Sequence, residues 1–94
     1  MHILISNDDG LDATGIRHLA EQIGEQVDQV TIIAPDRDRS GASNSLTLDR
    51  PIRVEQRKDN VYKVFGTPTD CVHIGITGLL GEEPDMVISG VNAG

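Results

Sequence analysis

The chain has 94 residues, enough for one small domain or part of a larger one. With one Tyr, one Phe and no Trp, its core must be built from Val, Ile, Leu and Ala. Fifteen acidic residues against eight basic ones, for a net charge of −7, argue against a general nucleic-acid binder, which needs a basic stripe. They do not exclude a phosphate-bearing substrate, because a bound cation reverses the local field.

Ile3 to Ile5 is short, continuous and β-branched, the pattern of a buried parallel strand. It runs into the polar cluster Ser6 to Gly10. This apolar run is too short for a membrane span and has no basic flank, so it reads as neither signal peptide nor transmembrane segment. Ile16, Leu19, Ala20, Ile23 and Val27 then recur at helical spacing, with Asp12 or Thr14 as the candidate N-cap. Val30 to Ala34 is a second buried strand stopped by Pro35, and strand, helix, strand within about 30 residues is a βαβ unit.

Asp36 to Asn44 is a polar loop containing Gly41, long enough to suspect function. Leu46, Leu48, Ile52 and Val54 alternate with polar residues. Tyr62 and Val64 do so too, after a turn-like stretch from Arg57 to Asn60, which predicts an antiparallel hairpin. Thr67-Pro68-Thr69-Asp70 opens a second helix: Thr67 can cap, Pro68 suits the first helical position and Asp70 the third. Val72, Ile76, Leu79 and Leu80 are the expected core face, with Cys71 beside it as a buried thiol, and Gly81 the expected stop. Met86 to Ser89 is a third buried strand. The fold class is therefore α/β, an open parallel sheet with helices on both faces and a β-hairpin insertion. Because an open sheet normally covers its last strand with a further helix, residues 1–94 are expected to be the N-terminal part of a longer domain.

Three polar clusters each follow a strand: Asn7-Asp8-Asp9-Gly10, Asp36 to Asn44, and Ser89-Gly90-Val91-Asn92. In open α/β sheets, ligands bind outside the carboxyl ends of the strands, so the topology should bring the three to one edge. Their shared chemistry is oxygen: carboxylates from Asp8 and Asp9, a hydroxyl from Ser40, an amide carbonyl from Asn92. Hard oxygen donors select Mg²⁺, Mn²⁺ or Ca²⁺. One Cys and three His without ligand spacing argue against zinc. The bland alternative for Asp8-Asp9 is a polar turn that caps the following helix, and for Asn92 an Asx turn. Neither a dinucleotide-binding glycine fingerprint nor a Walker loop is present, and the acidic cluster lacks EF-hand spacing. Arg37 and Arg39 are placed to steer a phosphate. His2, His18 and His73 show no partner pattern. With a single cysteine no intrachain disulfide forms, and a reducing, cytoplasmic setting fits best.

Four stretches carry a resemblance to a known family: Ile3 to Gly10, Ala34 to Ser45, Gly66 to Val72, and Pro84 to Gly94. In order and spread over the whole chain, they resemble the SurE family of survival proteins. The resemblance implies a Rossmann-like fold and a metal-dependent 5′-nucleotidase that removes phosphate from nucleoside monophosphates, some members also acting on polyphosphate. It implies a cytoplasmic homo-oligomer, a dimer or tetramer, with no membrane or specific nucleic-acid partner. Its metal ligands map onto Asp8, Asp9, Ser40 and Asn92, with Asp8 and Asp9 also the catalytic pair. Asn7, Gly41, Ser43 and Asn44 are the expected substrate contacts. Two other readings stand beside it. One is a non-catalytic metal- or nucleotide-binding fragment. The other is a receiver-like signalling module, which the missing phospho-acceptor Asp at the end of a later strand disfavours.

Overall fold

A computed structural model describes residues 1–7, 10–11, 14–37, 46, 51–77 and 83–89. In chain order the elements are β1 (His2–Ile5), α1 (Thr14–Gly24), β2 (Gln29–Pro35), β3 (Val54–Lys58), β4 (Val61–Val64), α2 (Pro68–Ile76) and β5 (Met86–Ile88). They form one five-stranded sheet in the order β3-β4-β2-β1-β5. Strands β4, β2, β1 and β5 run parallel, and only β3 is antiparallel, against β4.

The run of apolar residues in β1 and β2 follows from this arrangement, because successive side chains point to opposite faces and both faces are covered. Ile3, Ile5, Ile32 and Ala34 join Leu11 and Ile16 under α1. Leu4 and Ile33 point the other way and join Val64, Cys71 and Ile74 under α2. The helices therefore lie on opposite faces of the sheet, as the α/β reading requires. Leu19, Ala20, Ile23 and Val27 all pack on the α1-side cluster, although the helix ends at Gly24 and Val27 reaches the core from the turn beyond it. Helix α1 begins at Thr14; the other candidate cap, Asp12, lies outside the described residues.

The hairpin forms where it was expected, with Asn60 in the left-handed conformation (φ 65°) that asparagine tolerates in turns. Its place in the sheet is different from an appended insertion. Strand β4 pairs in parallel with β2, from Ile32↔Val61 to Pro35↔Val64, so the hairpin continues the main sheet and leaves β3 at the edge. A register shift between Gln56 and Lys58 marks a bulge at Arg57 on that edge strand. Leu46 and Ile52 do not belong to a strand; Pro51, which has no N–H to give a ladder, precedes Ile52.

Helix α2 opens as the sequence predicts. Thr67 Oγ1 accepts from the Asp70 backbone N–H at 3.1 Å, and Asp70 Oδ2 accepts from the Thr67 N–H at 2.9 Å, a reciprocal capping box with Pro68 in the first turn. Its buried face is not the expected one. Asp70, Cys71, Ile74 and Gly75 are buried, Val72 is half-buried, and Ile76 is 50% exposed. The reason is Gly75: a Cβ there would collide with Leu4 Cδ2 and stand 3.2 Å from Ile33 Cδ1, so the missing side chain lets the helix settle onto the sheet along that line. Leu79, Leu80 and Gly81 lie outside the described residues. Strand β5 is likewise less buried than expected. Met86 is 48% exposed and Val87 and Ile88 half-buried, because β1 is its one neighbour among the described strands. Among the described residues, no helix is long and apolar enough to cross a membrane.

Candidate metal and phosphate site

Parallel strands end at the same side of a sheet, and here four of those ends are tied together by three main-chain hydrogen bonds. Ser6 N–H, just past β1, donates to Ile88 O at the end of β5 (2.9 Å). Leu11 N–H donates to Pro35 O at the end of β2 (2.9 Å), and Asp36 N–H donates to Val64 O at the end of β4 (2.8 Å). The segments that leave β1, β2 and β5 therefore start from one edge, as the strand-end rule anticipates.

The turn after β1 is closed by a side chain. Asn7 is 1% exposed. Its Nδ2 donates to Gly10 O at 3.0 Å, and its Oδ1 accepts from Gly10 N–H at 3.2 Å. Gly10 itself has φ +105°, a region that residues with a Cβ rarely enter. A Cβ at this position would lie 2.9 Å from the carbonyl carbon of Arg37, which is backbone and cannot swing aside. Glycine thus brings the turn after β1 into direct contact with the chain leaving β2. Sequence reasoning grouped Asn7 and Gly10 into one polar cluster but missed this pairing. The available signal was an Asn three residues before a Gly at a strand end, where short amides bond to nearby main chain.

Asp8 and Asp9, which sit between Asn7 and Gly10 in the sequence, lie outside the described residues, as do Arg39, Ser40, Gly41, Ser43, Asn44 and Asn92. What the structure brings together is their framework: residues 6, 7, 10 and 11 after β1, residues 36 and 37 after β2, and the exposed Ser89 after β5. Among the described residues, no group of three or more His, Cys, Asp and Glu is placed to hold a metal. The buried His2 is committed to Thr31, Nε2 to Oγ1 at 2.7 Å, and the exposed His18 to Gln22 at 3.2 Å, both on the sheet or helix away from this edge. A groove of about 490 Å³ on the α1 face is lined in part by Leu11, Ala20, Val30, Arg57 and Val61 and runs along β2 and β4.

Beneath the edge, Cys71 and Ser6 are fully buried. Burial pushes the Cys71 thiol up to about 12, with the Ser6 hydroxyl nearby acting in the opposite direction. No hydrogen bond of ordinary geometry reaches Ser6 Oγ among the described residues. The thiol is neutral at physiological pH and inaccessible, which rules it out as a nucleophile and agrees with the reading of it as a core residue.

A family model described as survival protein SurE matches residues 3–94. The chain is 66% identical over its full length to the 5′-nucleotidase SurE of Alkalilimnicola ehrlichii, and 64% identical to that of Halorhodospira halophila. It spans 36% and 37% of the length of those relatives. Among solved structures, the SurE protein from Aquifex aeolicus superposes with a TM-score of 0.90 at 40% identity, over the whole of this chain and 38% of the other.

Proposed function

This chain belongs to the survival protein SurE family, and we propose that it supplies the metal-holding edge of a divalent-metal-dependent phosphatase that converts nucleoside 5′-monophosphates to nucleoside and phosphate. The observation that carries the reading is the convergence of the ends of β1, β2 and β5, with the turn after β1 pressed against Arg37 through Gly10. Such a convergence is what a site drawn from residues far apart in sequence, with shared oxygen chemistry, requires. The relatives that are 64–66% identical are named 5′-nucleotidases, which supports the substrate class. Because the chain spans just over a third of their length, the activity is proposed for the whole protein.

In this reading Asp8, Asp9, Ser40 and Asn92 hold the cation. An all-oxygen set with two carboxylates fits Mg²⁺ or Mn²⁺, and Ca²⁺ can occupy the same donors. The close approach that Gly10 permits fits a site assembled from the turns after β1 and β2. When bound, the cation withdraws charge from a phosphoryl oxygen and makes phosphorus easier to attack. The chain's own groups do the rest. One carboxylate of the pair takes the proton from the attacking water. Gly41, Ser43 and Asn44, in the loop after β2, offer backbone N–H groups and short polar side chains to the phosphate, and Arg37 and Arg39 draw it in. Polyphosphate is a second proposed substrate of the same edge. The protein is proposed to act in the cytoplasm as a homo-oligomer, a setting consistent with its single, buried cysteine.

The test is phosphate release from a nucleoside 5′-monophosphate by the protein as its gene encodes it. Release should require Mg²⁺ or Mn²⁺, stop on addition of EDTA and return with excess Mn²⁺. Full turnover in EDTA contradicts the metal reading; no release from any nucleoside monophosphate with metal present contradicts the substrate reading.

A further inference from the structure

We infer that Asn7 is a positioning residue that fixes the Asp8-Asp9 segment for the cation, rather than a residue that touches substrate. The inference rests on the metal reading above and adds to it the device that holds the acidic pair ready.

The geometry has three parts. First, Asn7 is buried and its carboxamide is engaged through both ends by one residue: Nδ2 to Gly10 O at 3.0 Å and Oδ1 to Gly10 N–H at 3.2 Å. Second, Gly10 is locked from the other side, since its φ of +105° and its contact with the Arg37 backbone leave no room for a Cβ. Third, Leu11 N–H is bonded to Pro35 O at 2.9 Å, and Ser6 N–H to Ile88 O at 2.9 Å. The chain is thus fixed immediately before and immediately after the two aspartates, and only three peptide bonds span the interval.

Asparagine suits this role. Only a short carboxamide presents one donor and one acceptor in a single plane at this reach. Aspartate has no donor for Gly10 O and adds a third negative charge. Serine has one short hydroxyl in place of the two carboxamide atoms that make these bonds, so it does not reproduce the pair in this geometry. Glutamine is one methylene too long. The consequence for metal binding is preorganisation: two like-charged side chains are expensive to hold side by side, and a segment whose ends are already ordered loses less freedom when the cation arrives. A side chain that is 1% exposed and bonded at both ends to main chain is badly placed to meet a soluble nucleotide.

The experiment measures Mn²⁺ affinity by calorimetry without nucleotide, together with kcat and KM, for the wild-type protein, Asn7→Ala, Asn7→Ser and Asp8→Asn. Removing a group that orients metal ligands typically weakens metal binding about 10–100-fold. Asn7→Ala should show a loss of that size, with Asn7→Ser intermediate. The KM for a nucleoside monophosphate at saturating Mn²⁺ should stay within about threefold of wild type, because the clamp acts on the metal segment alone. If Asn7→Ala does not fold, Asn7→Ser carries the test. A raised KM with unchanged Mn²⁺ affinity overturns the proposal in favour of direct substrate contact. A lowered melting temperature with metal affinity and KM both unchanged overturns it in favour of a purely structural role. Asp8→Asn separates the layers: Mn²⁺ binding lost there but intact in both Asn7 variants overturns the positioning role alone, and binding intact in all three variants overturns the metal site with it.

Discussion

Asp8→Asn is expected to lower metal-dependent phosphate release by about three orders of magnitude while leaving the fold as stable as before, or slightly more so. The substitution preserves shape and removes one negative charge. In the proposed site that charge is half of what attracts the cation. Losing several kcal/mol of cation binding and of transition-state charge stabilisation, at 1.36 kcal/mol per tenfold, gives a loss on the order of 10³. The same charge is a liability without metal, since it repels its neighbour Asp9, so its removal relieves the apo protein. Activity and stability therefore move in opposite directions, as they do where a site is built at the expense of the fold. The check is kcat/KM at saturating Mn²⁺ beside a melting curve in EDTA. A loss smaller than tenfold contradicts the role of Asp8. Loss of activity accompanied by a large drop in melting temperature would instead make Asp8 a structural residue, the polar turn of the bland reading.

Leu4→Ala is expected to cost about 3–4 kcal/mol of unfolding free energy. Leu4 is 1% exposed and sits with Ile33, Val64, Cys71 and Ile74 in the core under α2. Truncating such a residue removes its burial and leaves a cavity, for a typical total of about 2–5 kcal/mol. The upper half of that range is expected because Gly75 rests directly on Leu4 and has no side chain with which to fill the gap. The paired control is Ile76→Ala. Ile76 belonged to the predicted core face of α2 but is 50% exposed, so its truncation should stay within about 0.5 kcal/mol. Urea denaturation reads both values, with the slope unchanged between variants. Equal losses for the two would place Ile76 in the core and contradict the observed helix face.

That contrast shows which features local sequence carries. The Thr67-Pro68-Thr69-Asp70 cap was legible because all its partners lie within three residues, and the structure reproduces both of its hydrogen bonds. The apolar runs of β1 and β2 were legible because two covered faces leave no room for polar alternation. The face of α2 was not, because helical spacing counts side chains that are present, whereas the contact is set by one that is absent, at Gly75. The hairpin turn could be read from Asp59 and Asn60, but the pairing of β4 with β2 spans about 30 residues and leaves no local trace. Exposure at β5 follows from its having β1 as its one neighbour among the described strands, which no residue within it announces.

The candidate site divides in the same way. The strand-end rule located its framework, whereas the proposed ligands Asp8, Asp9, Ser40 and Asn92 rest on the four family-like stretches and lie outside the described residues. The Asn7 clamp was invisible because a polar residue beside two aspartates reads as part of the site's chemistry. Its two bonds to Gly10 instead belong to the architecture that carries that chemistry.

The most direct test of the central claim is the anomalous difference map of a crystal of the protein soaked in Mn²⁺. The account predicts one strong peak at the edge where β1, β2 and β5 end, bound by carboxylate oxygens of Asp8 and Asp9. A peak held by other residues, or none at that edge at millimolar Mn²⁺, would contradict it.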